Sequence, residues 1–121
     1  MSSKLIYHMC RAEEWQRARE AGVYTGSSQD VADGFLHFSN AAQLPGSAAK
    51  HRAGQAGLVL LTVDAEQLGA ALRWEPSRDD QLFPHLYGDL PVEAVTRVDD
   101  LPLDDDGIPV IPPHAHPSMA E

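Results

Sequence analysis

The run GLVLLTVD, residues 57–64, is the most apolar stretch of the sequence and decides the predicted fold. A short apolar run that is rich in branched residues is typical of a strand buried on both faces. We therefore predict a central strand here, and we expect any active site to lie beside it.

Shorter apolar runs on both sides of this stretch predict further strands. They lie at residues 4–9, 35–39, 71–75, 82–88 and, after a helical turn, within 90–103. Alternation in the first run places Leu5, Tyr7 and Met9 on one face and Ile6 and His8 on the other. Pairs of such strands need only short connections when they run antiparallel.

The helical segments are short and punctuated by glycine and proline. Residues 12–22, AEEWQRAREAG, predict a helix that ends at Gly22, where a left-handed cap is favoured. A second helical stretch, residues 41–54, is expected to be interrupted by Pro45 and Gly46.

Two further segments are expected to be irregular. Residues 23–34 contain two Gly, two Ser, a Thr and two Asp, a composition that predicts a loop of the kind that carries function. Pro84 lacks a backbone donor, so its strand is expected to lie at an edge or a bulge.

Strands outnumber helices in this prediction, and the connections are too short for a regular series of parallel crossovers. The predicted class is therefore α+β, with a curved, mostly antiparallel β core and short helices. Residues 1–103 form a single predicted domain, which is long enough for a hydrophobic core. Residues 104–121 are rich in proline and acid and are predicted to be an extended or partly disordered tail.

Composition excludes several classes of partner. The chain has 18 acidic against 9 basic residues, a formal net charge of -9, which disfavours bulk binding to nucleic acid. It has no apolar run near the roughly 18 residues of a membrane span, and its first residues lack a signal-peptide pattern. We expect a cytoplasmic protein with a small-molecule ligand. Its single cysteine, Cys10, excludes an internal disulfide.

Three histidines stand in three separate apolar runs: His8, His37 and His85. A buried imidazole that lacks partners for its nitrogens costs about 1–3 kcal/mol, so burying three for packing alone is unfavourable. We predict that they line a shared cleft with the 24–33 loop. A hydrogen-bonded core histidine is the alternative for each one, and a three-histidine zinc or iron site is another, although their spacings match no helix-borne metal motif.

Polar residues near these histidines are candidates for binding a ligand. The loop and the strand after it contribute Ser27, Ser28, Asp33 and Ser39. A pair of one of these serines with a histidine, for hydrolysis, stays open, but no GxSxG turn is present.

A second polar group lies in LRWEPS and in LFPHLYG, which follows it. Arg73 and Glu75 share a face of their predicted strand, and Tyr87 follows His85. An exposed ion pair is one interpretation of Arg73 and Glu75. The other is a nucleotide-sugar pocket, in which the arginine pairs with phosphate and the carboxylate faces a developing cation.

The motifs IYHM, VYTGSSQDVADGFLHFSN, LRWEPS and LFPHLYG, in this order, resemble a family of small bacterial proteins called domain-of-unknown-function family 952. The resemblance covers residues 4 to about 103. That family is similar to the ADP-ribosyltransferase fold, a split, strongly curved β core that clamps NAD in a cleft. The resemblance implies this fold here, with NAD as the candidate substrate. From the spacing of the three histidines we expect no metal.

The resemblance also implies roles for single residues. In transferases whose first strand carries a histidine, that residue binds the NAD ribose, and His8 matches its position. The strand FLHFS resembles a second motif, which packs on nicotinamide, through Phe38 and Ser39. A third motif contributes a glutamate that stabilises the oxocarbenium ion, and either Glu75 or His85 takes its place. The implied catalytic residues are thus His8, Glu75 and His85.

These observations favour an enzyme of the ADP-ribosyltransferase type that acts on NAD or an ADP-ribose-like small molecule. A nucleotide-derivative hydrolase and a non-catalytic binding module on the same fold stay open. A Glu75 carboxylate within hydrogen-bond reach of the cleft would favour catalysis, whereas one that points to solvent would favour the module. Nothing in the sequence indicates the oligomeric state.

Overall fold

The computed structural model describes residues 5–77 and 80–115, without the side chains of Ser28 and Gln29. Its helices and strands, in chain order, are β1 (Leu5–Arg11), α1 (Ala12–Ala21), β2 (Val23–Tyr24), α2 (Ser28–Asp33), β3 (Leu36–His37), α3 (Leu44–His51), β4 (Leu58–Asp64), β5 (Leu72–Pro76), β6 (Leu82–Leu86), β7 (Leu90–Pro91) and β8 (Val95–Leu101). The strand pairs are all antiparallel within this part of the chain, which confirms the predicted α+β class.

The predicted central strand is β4, which lies between β1 and β8 in a three-stranded sheet. Residues 58–63 are all buried, because both faces of the strand are covered. In β1, Ile6 and Cys10 pack into the core on the side of α1, whereas Tyr7 and Met9 pack on the opposite side with α3. The side chains of β1 therefore alternate between the faces as the sequence predicts.

A second three-stranded sheet has the order β3-β6-β5. The expectation that Pro84 lies at an edge or a bulge is wrong, because β6 is the middle strand and Pro84 pairs with Trp74. The Pro84 carbonyl accepts a hydrogen bond from Phe38 N at 3.0 Å. Proline has no N–H to return that bond, which explains why β3 ends at His37.

The two sheets are joined at a single backbone bridge within the described chain. Tyr7 of β1 and Ser39, just after β3, exchange hydrogen bonds of 2.8 and 2.9 Å. On either side of this bridge the two segments continue without pairing to each other. The β core is therefore split beside β1, and this split provides the space for a cleft.

The helix α1 begins and ends as predicted, with Gly22 in the left-handed region at φ 92°. The prediction of a loop throughout residues 23–34 is wrong. The segment contains β2, which pairs with β7, and then α2. Reciprocal capping starts α2, because Ser27 N donates to the Asp30 carboxylate at 2.8 Å and Asp30 N donates to the Ser27 hydroxyl at 3.4 Å.

The interruption of the second helical stretch at Pro45 and Gly46 is also wrong. The helix α3 starts at Leu44, so both residues lie in its first turn, where a missing N–H removes no helical hydrogen bond. Asn40 and Gln43 support this start, since each accepts a hydrogen bond from the other's backbone N–H.

The segment predicted as a tail, residues 104–121, is described as far as Ala115. The Asp104 carboxylate accepts hydrogen bonds from the backbone of Asp106 and Ile108, at 2.8 and 2.9 Å, and closes a tight turn. The chain then runs back along the domain, and Ala115 is fully buried beside α3. Packed structure thus continues past residue 103. In the described residues, no helix is both long and apolar enough to cross a membrane.

Candidate functional site

A cleft of about 600 Å³ opens where β1 and the second sheet separate. Small-molecule sites in proteins have volumes of about 300–1,000 Å³, so this cleft has the size of a ligand site. It lies against β1, one strand away from β4. The predicted site residues that line it are His8, Ser27, Asp33, His37, Phe38, Ser39 and His85.

His8 lies at the buried wall of the cleft and is only 3% exposed. Its Nδ1 donates to the His37 carbonyl at 2.6 Å, because a carbonyl oxygen can only accept. In the neutral ring Nε2 then accepts from the Tyr24 hydroxyl at 2.7 Å. Burial lowers the pKa of His8, and the carboxylate of Asp30 only partly opposes this effect. His8 is therefore neutral at pH 7.

The partners of His8 are themselves buried and fixed. Burial raises the pKa of Tyr24 far above its ordinary range and that of Cys10 to about 12, and the two side chains are hydrogen-bonded to each other. Cys10 is thus a buried thiol rather than a reactive thiolate.

Asp30, which was not among the predicted site residues, is the residue around which the cleft is organised. Its carboxylate is buried and accepts four hydrogen bonds, two from Ser27 (N and Oγ, 2.8 and 2.9 Å) and two from His37 (N and Nδ1, 3.0 and 2.5 Å). Burial raises the pKa of Asp30, but the bonds from His37 and the backbone outweigh burial and hold it well below its ordinary value.

His37 bridges two carboxylates. Its Nδ1 contacts Asp30, and its Nε2 lies 2.9 Å from an oxygen of Asp33. Partial burial lowers the pKa of His37, but the hydrogen bond and charge of Asp30, with Asp33, outweigh burial and raise it. Two ring nitrogens that both donate to carboxylates require an imidazolium, so His37 brings a positive charge to the cleft.

His85 of β6 lies directly opposite His37 of β3 in the antiparallel pair. The two rings meet edge-on, with 5.7 Å between their centroids. Its Nδ1 lies 2.8 Å from the Glu75 carboxylate, which also accepts from the Tyr87 hydroxyl at 2.7 Å. These bonds, first that of Tyr87 and then that of His85, lower the pKa of Glu75.

Three predicted site residues do not line the cleft. Glu75 is half-exposed and contacts His85 and the exposed Tyr87, and the Arg73 guanidinium packs over the Tyr87 ring at 5.2 Å. Glu75 thus reaches the cleft only through His85. The Ser28 side chain, also predicted to bind ligand, lies outside what the structure describes.

The other end of the cleft is basic. Arg11 at the end of β1, His51 at the end of α3, and Arg52 line it. One carboxylate lines it as well, that of Glu14, which accepts a hydrogen bond from Arg11 N. Arg52 is held in place because it donates to the Met9 carbonyl at 2.8 Å and to Gln55 at 2.9 Å. No sequence motif marked these residues, since the two segments are about 40 positions apart. Among the described residues, no group of three or more His, Cys, Asp or Glu could hold a metal ion.

A family model described as a protein of unknown function, DUF952, matches residues 9–98. The chain belongs to this family. Among solved structures, the DUF952 chain is similar to the crystal structure of protein CC0527 from Caulobacter crescentus, with a TM-score of 0.89 and 50% identity over 92% of this chain and 97% of that one. The solution NMR structure of CC0527 matches with a TM-score of 0.78 and 51% identity, over 87% of this chain and 90% of that one.

The search for similar curated proteins gave no match. The description of the DUF952 family and the names of these structures state no activity. The comparisons therefore support the family and the α+β fold of this DUF952 protein, and its function has to be argued from the cleft.

Proposed function

We propose that this protein binds NAD or an ADP-ribose-like small molecule in the cleft and acts on it as an enzyme of the ADP-ribosyltransferase type. The observation that carries the proposal is the division of the cleft into a basic end and a histidine–carboxylate end. Arginines pair with diphosphate oxygens through charge-assisted, often bidentate hydrogen bonds. The His85 imidazole and the Asp33 carboxylate, which line the other end, suit the hydroxyls and the amide of a ribosyl-nicotinamide.

The two ends both include residues of β1, so the spacing of their backbones can be derived from the strand. His8 and Arg11 are three residues apart on β1, and an extended strand rises about 3.3 Å per residue, which places their backbones about 10 Å apart. A ligand that spans this distance needs an anionic part at one end and a polar, uncharged part at the other. NAD and ADP-ribose have both.

A non-catalytic binding module is the second candidate, and the position of Glu75 favours it. An ADP-ribosyltransferase glutamate has to face the reacting ribose, whereas Glu75 lies behind His85 and bonds to His85 and Tyr87. His8 also has both ring nitrogens bonded to protein groups. Neither ring nitrogen of His8 can therefore bond to a ligand unless one of these hydrogen bonds breaks.

Thermal unfolding with and without ligand tests the proposal. A ligand at about 100 times its dissociation constant adds roughly 2.7 kcal/mol to the free energy of unfolding. For a domain of this size the melting temperature should rise by roughly 8–15 °C. NAD and ADP-ribose should both give this shift, whereas nicotinamide alone should give much less, because it lacks the diphosphate.

Arg11→Ala is the variant that reports on the site, because Arg11 is exposed and lines the cleft. We expect it to reduce the ligand-induced shift while the melting temperature of the free protein hardly changes. Arg17→Ala is the matched control, since Arg17 is an exposed arginine of α1 outside the cleft lining. His8→Ala is less suitable, because loss of its buried hydrogen bonds destabilises the fold with or without ligand.

Nicotinamide release in the same samples separates the two candidates. Release favours the enzyme, and a melting shift without release favours the binding module. If neither NAD nor ADP-ribose at millimolar concentration shifts the melting temperature, the proposal is wrong.

A further inference from the structure

We propose that His85 is the general base of this site and takes a proton from a water molecule in the cleft, while Glu75 positions the His85 ring. The inference rests on the proposed function and adds the acceptor to it: the ADP-ribosyl group is transferred to water. It also explains how Glu75, Tyr87 and Arg73 contribute to the site without lining the cleft: they form a chain of contacts that ends at His85.

The hydrogen bonds fix the tautomer of His85. Tyr87 donates its hydroxyl hydrogen to Oε1 of Glu75, and Nδ1 of His85 lies 2.8 Å from the same oxygen. The lowered pKa of Glu75 keeps its carboxylate ionised at pH 7, so it only accepts. In the neutral ring, the hydrogen is therefore on Nδ1, and Nε2 carries a lone pair.

The lone pair of Nε2 is open to the cleft. No group that the structure describes is hydrogen-bonded to this nitrogen. Among the described residues, Thr62 Oγ1 is the one buried side-chain nitrogen or oxygen atom without a partner, so Nε2 of His85 is not such a buried, unpaired atom. Nε2 is therefore not sealed in the core. Since His85 lines the cleft and its Nδ1 points back to Glu75, a molecule in the cleft meets Nε2.

Contacts with neighbouring rings fix the orientation of the His85 ring, in addition to the hydrogen bond at Nδ1. Phe35 stacks on His85 with 4.2 Å between centroids and an interplanar angle of 29°, and the imidazolium of His37 meets it edge-on. A carboxylate on one nitrogen and a free lone pair on the other form the arrangement by which histidine bases are oriented in hydrolases. Among the described residues, the titratable or charged groups that contact this ring are His37 and Glu75, and Tyr87 and Arg73 follow behind Glu75 in the chain of contacts.

The step balances without any further reactant. A water O–H bond breaks, its proton binds Nε2 of His85, and the oxygen forms a bond to C1′ of the nicotinamide-bearing ribose. The C1′–N bond breaks, and its electron pair goes to the nicotinamide nitrogen and neutralises the pyridinium. The products are ADP-ribose, nicotinamide and one proton, which His85 returns to solvent.

The test measures nicotinamide release from NAD and the NAD-induced melting shift in the same full-length samples. His85→Asn keeps a donor near Glu75 but removes the base, and it should lower release by at least about 100-fold while the melting shift remains. His85→Gln is a second variant in case the first does not fold. His114→Gln is the matched control, since His114 contacts Asp99 outside the cleft lining.

Glu75→Gln tests the positioning role through kcat and KM of nicotinamide release. Without the negative charge of the carboxylate, the transition state in which the His85 ring takes the proton is less stabilised, so kcat should decrease about 10-fold while KM for NAD stays unchanged. A purely structural role would lower the melting temperature of the free protein and leave kcat unchanged.

The outcomes separate this inference from the proposed function. A melting shift with NAD but no nicotinamide release from the wild type overturns the general base and leaves the ligand intact. Release that persists in both His85 variants, or an unchanged kcat in Glu75→Gln, also overturns it. Absence of both the shift and the release overturns the two proposals together.

Discussion

Asp30→Asn should be a strongly destabilising change, although it replaces one oxygen by a nitrogen. Asp30 is 3% exposed, and its two oxygens accept four hydrogen bonds, from Ser27 and His37. An asparagine has a single oxygen that accepts and an NH2 group that only donates. At least one of the four donors would then face another donor, and the imidazolium of His37 would lose its buried counter-charge.

The size of the expected loss in the free energy of unfolding follows from the burial of the Asp30–His37 ion pair. Removing one partner of a buried ion pair costs about 3–5 kcal/mol. The side chain of His37 is 38% exposed, so solvent screens the ion pair and the loss should lie at the lower end of this range. Together with the weakened cap of α2, we expect a loss of about 3 kcal/mol in the free energy of unfolding. A loss of this size should lower the melting temperature by roughly 10 °C.

The loss should depend on pH with a definite sign. The pKa of Asp30 is below its ordinary 3.8, so its contribution is present above about pH 4 and is lost as the pH falls through the folded value. The pKa of His37 is above its ordinary 6.5, so its contribution is full below pH 6.5 and is lost as the pH rises through the folded value. The difference in free energy of unfolding between the wild type and Asp30→Asn should therefore be largest between about pH 4 and 6.5.

Urea denaturation followed by tryptophan fluorescence at pH 5 and pH 9 measures this difference. Asp33→Asn is the matched control, because Asp33 contacts the same imidazole from a more exposed position and should cost about 1 kcal/mol or less. A loss below about 1 kcal/mol for Asp30→Asn at pH 5, or equal losses at the two pH values, would refute the reasoning.

Two further predictions concern the cleft and its metal content. Gly26→Ala should cost about 2–4 kcal/mol in urea denaturation, because Gly26 has φ +103° and an added Cβ would lie 2.6 Å from Leu36 and 2.7 Å from Asp30. Gly34→Ala, with φ +86° and open space, should cost about 1 kcal/mol, and equal losses would contradict the steric argument. Elemental analysis of the tag-free protein should find well under one equivalent of zinc or iron, whereas stoichiometric metal that is lost in His37→Ala would argue for a metal site.

The sequence predicted the elements whose pattern is local. A run of buried residues identified β4, alternation gave the faces of β1, and Gly22 marked the end of α1, because each signal reflects a contact or a backbone angle that recurs within a few residues. Pro84 was misplaced because the rule against proline in a central strand assumes that its N–H would be needed. Here the neighbouring strand β3 ends where that bond would have formed.

The helix α2 was missed although a signal was present. Ser27 and Asp30 stand three residues apart, the spacing of a capping box, and Gly34 follows where the helix ends. The high content of Gly, Ser and Asp, which favours loops, concealed this pattern. Asp30 was not predicted as a site residue for the same reason, because its carboxylate faces His37 only when this helix forms.

The three histidines were found because an imidazole in an apolar run needs partners, but their different states required the structure. His8 is neutral because its nitrogens face a carbonyl and a hydroxyl, and His37 is charged because its nitrogens face two carboxylates. In His85 one nitrogen faces a carboxylate, and the other has no partner among the described residues. The partner of each nitrogen comes from a different segment of the chain, so no local pattern encodes it. This difference in partners is the reason why we propose His85, rather than His8 or His37, as the general base.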